Sequence, residues 1–64
     1  MALDRSMAGK RVKLIRTSDP YTDLRPGDEG VAQFTDDMGT LAVKWDNGSS
    51  LGMVPGEDQW TEVL

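Results

Sequence analysis

Carboxylates are the side chains in this sequence numerous enough to suggest acid–base chemistry, and they come in adjacent pairs: Asp28/Glu29, Asp36/Asp37 and Glu57/Asp58. A glycosidase-like acid and base would need two of them facing each other across a cleft, and a chain of 64 residues has little room for one. Histidine and cysteine are absent, which removes nucleophilic triads, thiolate chemistry and thiolate metal sites. Calcium loops space their oxygens as Asp-x-Asp-x-Asp-Gly. None of the three pairs follows that spacing, so no metal site and no cofactor is implied. Each pair lies beside or near a glycine, where Asp is favoured because its side chain bonds the local backbone. Turn chemistry accounts for these carboxylates, and the chain is expected not to be an enzyme.

The basic residues are arranged differently. Net charge is −4, yet residues 1–25 sum to +3 and residues 26–64 to −7. The positive half concentrates in Lys10, Arg11, Lys13 and Arg16, with Arg25 nearby. Such a patch could contact phosphates, and nucleic-acid or ribonucleoprotein binding is the alternative reading of this chain. Against it stand the acidic total and the lack of any aromatic residue interleaved with the cations, as single-strand stacking would need. A solvated strand face that discourages edge-to-edge pairing explains the same residues. The four aromatics are Tyr21, Phe34, Trp45 and Trp60. By alternation Trp45 joins Leu41 and Val43 and caps the core; the sharper alternative is a wall of a cation-binding cage, for which several aromatics must converge.

These groups must be positioned by short strands. Three turn signals punctuate the middle of the chain: Pro26-Gly27-Asp28-Glu29-Gly30, Asp36-Asp37-Met38-Gly39 and Asp46-Asn47-Gly48. Each gap between them holds one run of strand-forming residues, the mark of a small antiparallel β domain. Val12 and Leu14 alternate with Arg11 and Lys13 in a first strand that Ile15 interrupts. Thr17–Arg25, with Asp19-Pro20, is a long shaped loop. Gly30–Thr35 and Thr40–Trp45 are the second and third strands. Asn47-Gly48 tolerates the positive φ of a tight hairpin, leading to a fourth strand at Ser49–Val54 weakened by Gly52. Pro55–Asp58 is a short 3₁₀ or plain turn, and Trp60–Val63 a fifth strand. Met1–Ala8 is expected as a flexible leader before a domain at residues 9–64, with Met7 an alternative start. No signal-like or membrane-spanning apolar run is visible. A chain this small buries only about 60% of its unfolded surface, so its core is one thin layer.

This order resembles an SH3-like barrel: five strands, a long first loop, and Val54-Pro55 before a short 3₁₀ turn and the last strand. Gly27-Asp28-Glu29-Gly30 sits where SH3 domains place an acidic diverging turn. Gly9-Lys10-Arg11-Val12 followed by Gly27–Val31 is similar to the KOW motif. Closer still, the chain resembles a family of small bacterial and phage proteins catalogued as a domain of unknown function, family 4314. The matching residues are Ile15-Arg16-Thr17, Asp19-Pro20-Tyr21, Pro26-Gly27-Asp28-Glu29-Gly30, Asp36-Asp37-Met38-Gly39-Thr40 and Val43 through Ser49. Resemblance to SH3 domains implies a peptide shelf between the long loop and the closing turn. Tyr21, Pro55 and Trp60 match its residue types, and Asp23 could pair with a basic ligand residue. A central shelf Trp and the Ala-Leu-Tyr-Asp-Tyr signature are missing; Gly39-Thr40-Leu41 stands where that Trp would be.

The expectation is an all-β, five-stranded SH3-like barrel. It is expected to act as a monomeric protein-binding module through Tyr21, Asp23, Pro55 and Trp60, in a bacterial or phage cytoplasm.

Overall fold

In the computed structural model, which describes residues 3–64, four antiparallel strands form one sheet. They are β1 Arg11–Arg16, β2 Glu29–Thr35, β3 Leu41–Trp45 and β4 Gln59–Glu62, in spatial order β3-β2-β1-β4. Met1, the first of the two candidate starts, lies outside the described residues. No helix long and apolar enough to cross a membrane occurs among the described residues.

Period-two alternation places the core. Val12 and Leu14 of β1 are buried while Arg11 and Lys13 face out, and Leu41, Val43 and Trp45 of β3 are buried with Lys44 exposed. Ala32, Met53 and Leu24 complete the cluster, with Met7, Leu51 and Trp60 packed against it. Leu24 belongs to the long first loop, so that loop is plugged into the core. Two β-bulges bend the sheet. One lies between Leu14 and Arg16 where β1 meets β4, the other between Ala32 and Phe34 where β2 meets β3. The first shows in the burial pattern: Ile15 keeps the outward side of Arg11 and Lys13, and Arg16, which follows the extra residue, is exposed as well.

Gly30 decides how closely β2 and β3 approach. It lies opposite Trp45, and a Cβ there would sit 2.7 Å from the Lys44 carbonyl oxygen and 2.7 Å from the Trp45 Cα. Side chains anchor the turns. Asp36 Oδ1 accepts the amides of Met38 and Thr40, Asn47 Oδ1 that of Ser49, and Asp28 Oδ2 that of Arg25. In the Asp46–Gly48 hairpin the positive φ falls on Gly48 alone (91°), not on Asn47 as well. Gly48 N–H donates to the Trp45 carbonyl and Trp45 N–H to Ser49, so this is a longer loop ending on a left-handed glycine.

The structure has four strands where the sequence predicts five. Ser49–Val54 makes main-chain bonds to β3 at its two ends only, Trp45 N–H to Ser49 O (2.9 Å) and the Leu41–Met53 bridge. The middle rung, Val43 opposite Leu51, is not made. Trp45 Nε1 donates to the Leu51 carbonyl at 2.8 Å, and the Ser49 hydroxyl takes the Leu51 amide at 3.3 Å. Side chains have replaced the ladder, so the segment does not pair as a strand. Pro55–Asp58 forms a single turn in which the Val54 carbonyl accepts the amides of Glu57 and Asp58. At the other end, residues read from the sequence as a leader carry sheet contacts. Asp4 and Thr35 exchange main-chain bonds (2.8 and 2.7 Å).

Candidate functional site

The most heavily bonded side chain is a carboxylate. Asp58, 7% exposed, is buried between the long first loop and the closing turn. Its Oδ1 accepts from the Thr17 hydroxyl and the Ser18 amide, both at 2.9 Å, and from the Ser18 hydroxyl at 3.4 Å. Its Oδ2 accepts from the Val54 amide at 2.9 Å. Burial by itself pushes the carboxyl pKa up. The Val54, Ser18 and Thr17 donors outweigh it and hold the group below the ordinary aspartate range. Asp58 is therefore an ionised staple joining two segments about 40 residues apart. Turn chemistry explains most of the acidic residues, but not this one.

Beyond the staple the loop is built from its own side chains. Thr17 Oγ1 accepts the Asp19 amide (3.3 Å), Asp19 Oδ1 the Tyr21 amide (2.9 Å) and Thr22 Oγ1 the Leu24 amide (3.1 Å). These bonds fix the backbone while leaving the Tyr21 ring in solvent at 92% exposure. Tyr21 and Asp23 line a cleft of about 510 Å³ together with Asp19, Thr22 and the Asn47–Leu51 segment. Its surface is polar, with hydroxyls, an amide and two carboxylates around one aromatic ring. That composition suits a cationic or hydrogen-bonding side chain.

Pro55 and Trp60 line a different cleft, of about 350 Å³, with Ile15, Asp58 and Gln59. Here the lining is apolar. Trp60 is half-buried opposite Leu14, Ile15 faces solvent on the side of Arg11 and Lys13, and Pro55 forms a wall held in place through Asp58. The four residues taken from the sequence as one surface thus divide between two clefts. Tyr21 and Asp23 belong to one, Pro55 and Trp60 to the other, and the Asp58 staple lies between the segments that carry them. Ile15 and Asp58 are the members that sequence reasoning missed. The broken alternation at Ile15 was a usable signal; Asp58 sits beside Glu57 in what reads as ordinary turn charge.

Two of the four cations of the basic patch, Lys10 and Arg11, are paired with carboxylates. Arg11 donates to Asp46 Oδ2 at 2.8 Å and lies 3.6 Å from Glu29, and Lys10 is 3.7 Å from Glu62. The Asp46 hydrogen bond and charge, with Glu29 behind them, push the Arg11 pKa up. Lys13 and Arg16 are in no ion pair among the described residues. Trp45, at 2% exposure with its indole N–H committed to Leu51, offers no face to a ligand. The cage reading is thereby overturned.

No curated protein and no solved structure matches the chain. Over residues 4–63, nearly its whole length, it matches the family described as Domain of unknown function (DUF4314), and it belongs to that family.

Proposed function

We propose that this chain is a non-enzymatic protein-interaction module on an SH3-like barrel, working in a bacterial or phage cytoplasm. The observation that carries the reading is the Ile15–Pro55–Trp60 cleft. It is an apolar recess offered to solvent by a small domain, beside a turn that Asp58 holds rigid. Concave apolar surface with a few fixed polar groups is what a binding site needs. The Tyr21–Asp23 cleft adds a second contact, an exposed ring for area and a carboxylate for a basic ligand residue. Support for the barrel comes from the strand order, the two bulges that curl the sheet, and the Leu41–Met53 bridge beyond β3. The ion pairs on Lys10 and Arg11 weaken the nucleic-acid alternative, because a paired guanidinium has less charge to give to phosphate.

Affinity capture from the source cell or its infected host tests the reading, with the wild type, Tyr21→Ala and Trp60→Ala as baits. A partner retained by the wild type is expected to be lost from both variants while their circular dichroism stays native. Retention by both variants refutes the assignment.

A further inference from the structure

Ser49–Val54 is in register with β3 at both ends. Trp45 N–H donates to the Ser49 carbonyl (2.9 Å), and Leu41 and Met53 exchange both main-chain bonds (2.9 and 2.8 Å). Two residues inward from each end, Val43 faces Leu51, and that single rung is missing. Alternation along an antiparallel ladder fixes the direction of the Val43 main chain. Asp46 N–H bonds toward β2, to the Glu29 carbonyl (2.9 Å), whereas Leu41 and Trp45 bond away from it. Val43, two residues from each of them, also turns away from β2. Ala32, opposite it on β2, bonds the other way: its N–H goes to the Lys10 carbonyl and its carbonyl takes the Gly9 N–H, both at 2.8 Å. Leu51 has committed its own groups elsewhere, the carbonyl to the Trp45 indole (2.8 Å) and the amide to the Ser49 hydroxyl (3.3 Å). Val43 N–H and C=O therefore meet no protein group among the described residues, at a residue only 2% exposed. Buried main-chain groups are nearly always paired, and an exception marks stored strain or a function.

We propose that Ser49–Leu51 is a strap poised to close, latched open by the Trp45 indole. In the closed position Leu51 turns its main chain onto Val43, the missing rung forms, and Ser49–Met53 becomes a continuous edge strand. No slip of register is needed, because the rungs on either side are already in place. The Leu51 carbonyl lies in the peptide unit shared with Gly52, which is seated so closely that a Cβ would come 2.9 Å from the Thr40 methyl. Closing turns that unit about a residue already anchored. Each position leaves something unpaired. Open, it is the N–H and C=O of Val43; closed, it is the indole N–H of Trp45, itself 2% exposed. Buried groups of either kind are costly to leave without a partner, and two packings of similar cost make a two-state element. The strap is also a wall of the polar cleft, through Ser49, Ser50 and Leu51. Its position sets the shape of that cleft, and a ligand that fits one position better draws the strap there.

Scalar couplings across hydrogen bonds, measured by NMR on the full chain, report which carbonyl each N–H holds, with Leu41–Met53 as the reference pair. In the wild type the Trp45 indole nitrogen is expected to couple to the Leu51 carbonyl, and Val43 and Leu51 to show no coupling. Either result reversed overturns the proposal. Trp45→Phe removes the latch. Val43–Leu51 couplings are then expected to appear, and the Val43 amide to exchange at least about tenfold more slowly than in the wild type. A Trp45 that serves packing alone predicts the opposite, since lost stability speeds exchange at Val43 as at other core amides. Val43 exchange that is unchanged or faster, or a variant that keeps the Leu41–Met53 couplings and gains none at Val43, overturns the strap. Should Trp45→Phe fail to fold, Ser49→Ala decides. It cuts the 3.3 Å tie on the Leu51 amide, and a coupling from that amide to the Val43 carbonyl is expected in its place; its absence overturns the proposal.

Discussion

Replacing Asp58 measures how much of this fold hangs on one buried carboxylate. Asp58→Ala strands the Val54 and Ser18 amides and the Thr17 hydroxyl, whose bonds to the carboxylate are all 2.9 Å. A hydrogen bond to a charged group contributes about 1.5–3 kcal/mol, and a buried group left unpaired costs about 1–3 kcal/mol. Three such bonds do not add fully, because the loop and turn can move to let water in; the expected loss is about 3–5 kcal/mol. For a chain of this length total stability is about 3–10 kcal/mol, so the alanine variant should be partly or wholly unfolded. Asp58→Asn is the more informative substitution. Its carbonyl can still serve Thr17 and Ser18, but its amide then confronts the Val54 N–H, for an expected loss of about 1.5–3 kcal/mol.

The pH dependence supplies the sign. The folded pKa of Asp58 is lowered from its ordinary value of 3.8, so the stabilisation is fully present above that value and lost as pH falls through the lower, folded one. The gap between wild type and Asp58→Asn in urea unfolding should therefore be constant near neutral pH and close as the pH drops below about 4. Equal urea midpoints for the two proteins at neutral pH would refute the staple. So would a gap that stays constant into acid, which would show a role independent of the charge.

Gly30→Ala drives a methyl group against the main chain of β3, 2.7 Å from both the Lys44 oxygen and the Trp45 Cα. Backbone cannot yield as a side chain would, and a loss of about 1–3 kcal/mol is expected in urea unfolding; an unchanged midpoint would show that the strands separate freely. Trp45→Phe keeps a ring in the core but removes the donor to the Leu51 carbonyl. It should cost about 1–2 kcal/mol by the same measurement, with the largest chemical-shift changes at Leu51 and Gly52. Arg11→Gln removes an exposed cluster with Asp46 and Glu29, so it should leave the unfolding midpoint nearly unchanged at high salt and lower it slightly at low salt.

What could be read from the sequence was periodic or local. The alternation of Val12 with Leu14, and of Leu41, Val43 and Trp45, gave two strands and their buried faces, since every second side chain of a strand shares a face. Turn chemistry was equally legible: Asp36, Asn47 and Asp28 bond amides two to four residues away, within reach of any local pattern. The misses are where a side chain competes with the ladder or a partner is distant. Ser49–Val54 has the composition of a strand, but nothing in it says that the Trp45 indole will take the Leu51 carbonyl. Asp58 looks like its neighbour Glu57 until Thr17 and Ser18 are placed beside it. The candidate site suffered similarly. Its residue types were recognisable, but their division into a polar and an apolar cleft depends on how the long loop is stapled to the closing turn.

These two misses share a cause that bears on function. A full strand at Ser49–Val54, running on past Met53, would extend the ladder beyond β3 and lengthen the cover on that side of the sheet. Instead Trp45 breaks the ladder at Leu51, and Asp58 captures the Val54 amide directly after the Leu41–Met53 rung. The chain is diverted into the Pro55 turn and re-enters the sheet at Gln59 on the opposite edge, next to β1. Both clefts depend on that diversion. The detached Ser49–Leu51 segment forms one side of the polar cleft, and the captured turn forms the Pro55 wall of the apolar one. Trp45, which takes the Leu51 carbonyl, and Asp58, which holds the turn, are thus the side chains that shape its concave surface. Restoring the ladder by substitution at Trp45 should change the polar cleft and leave the Pro55 wall in place, whereas loss of Asp58 should loosen both.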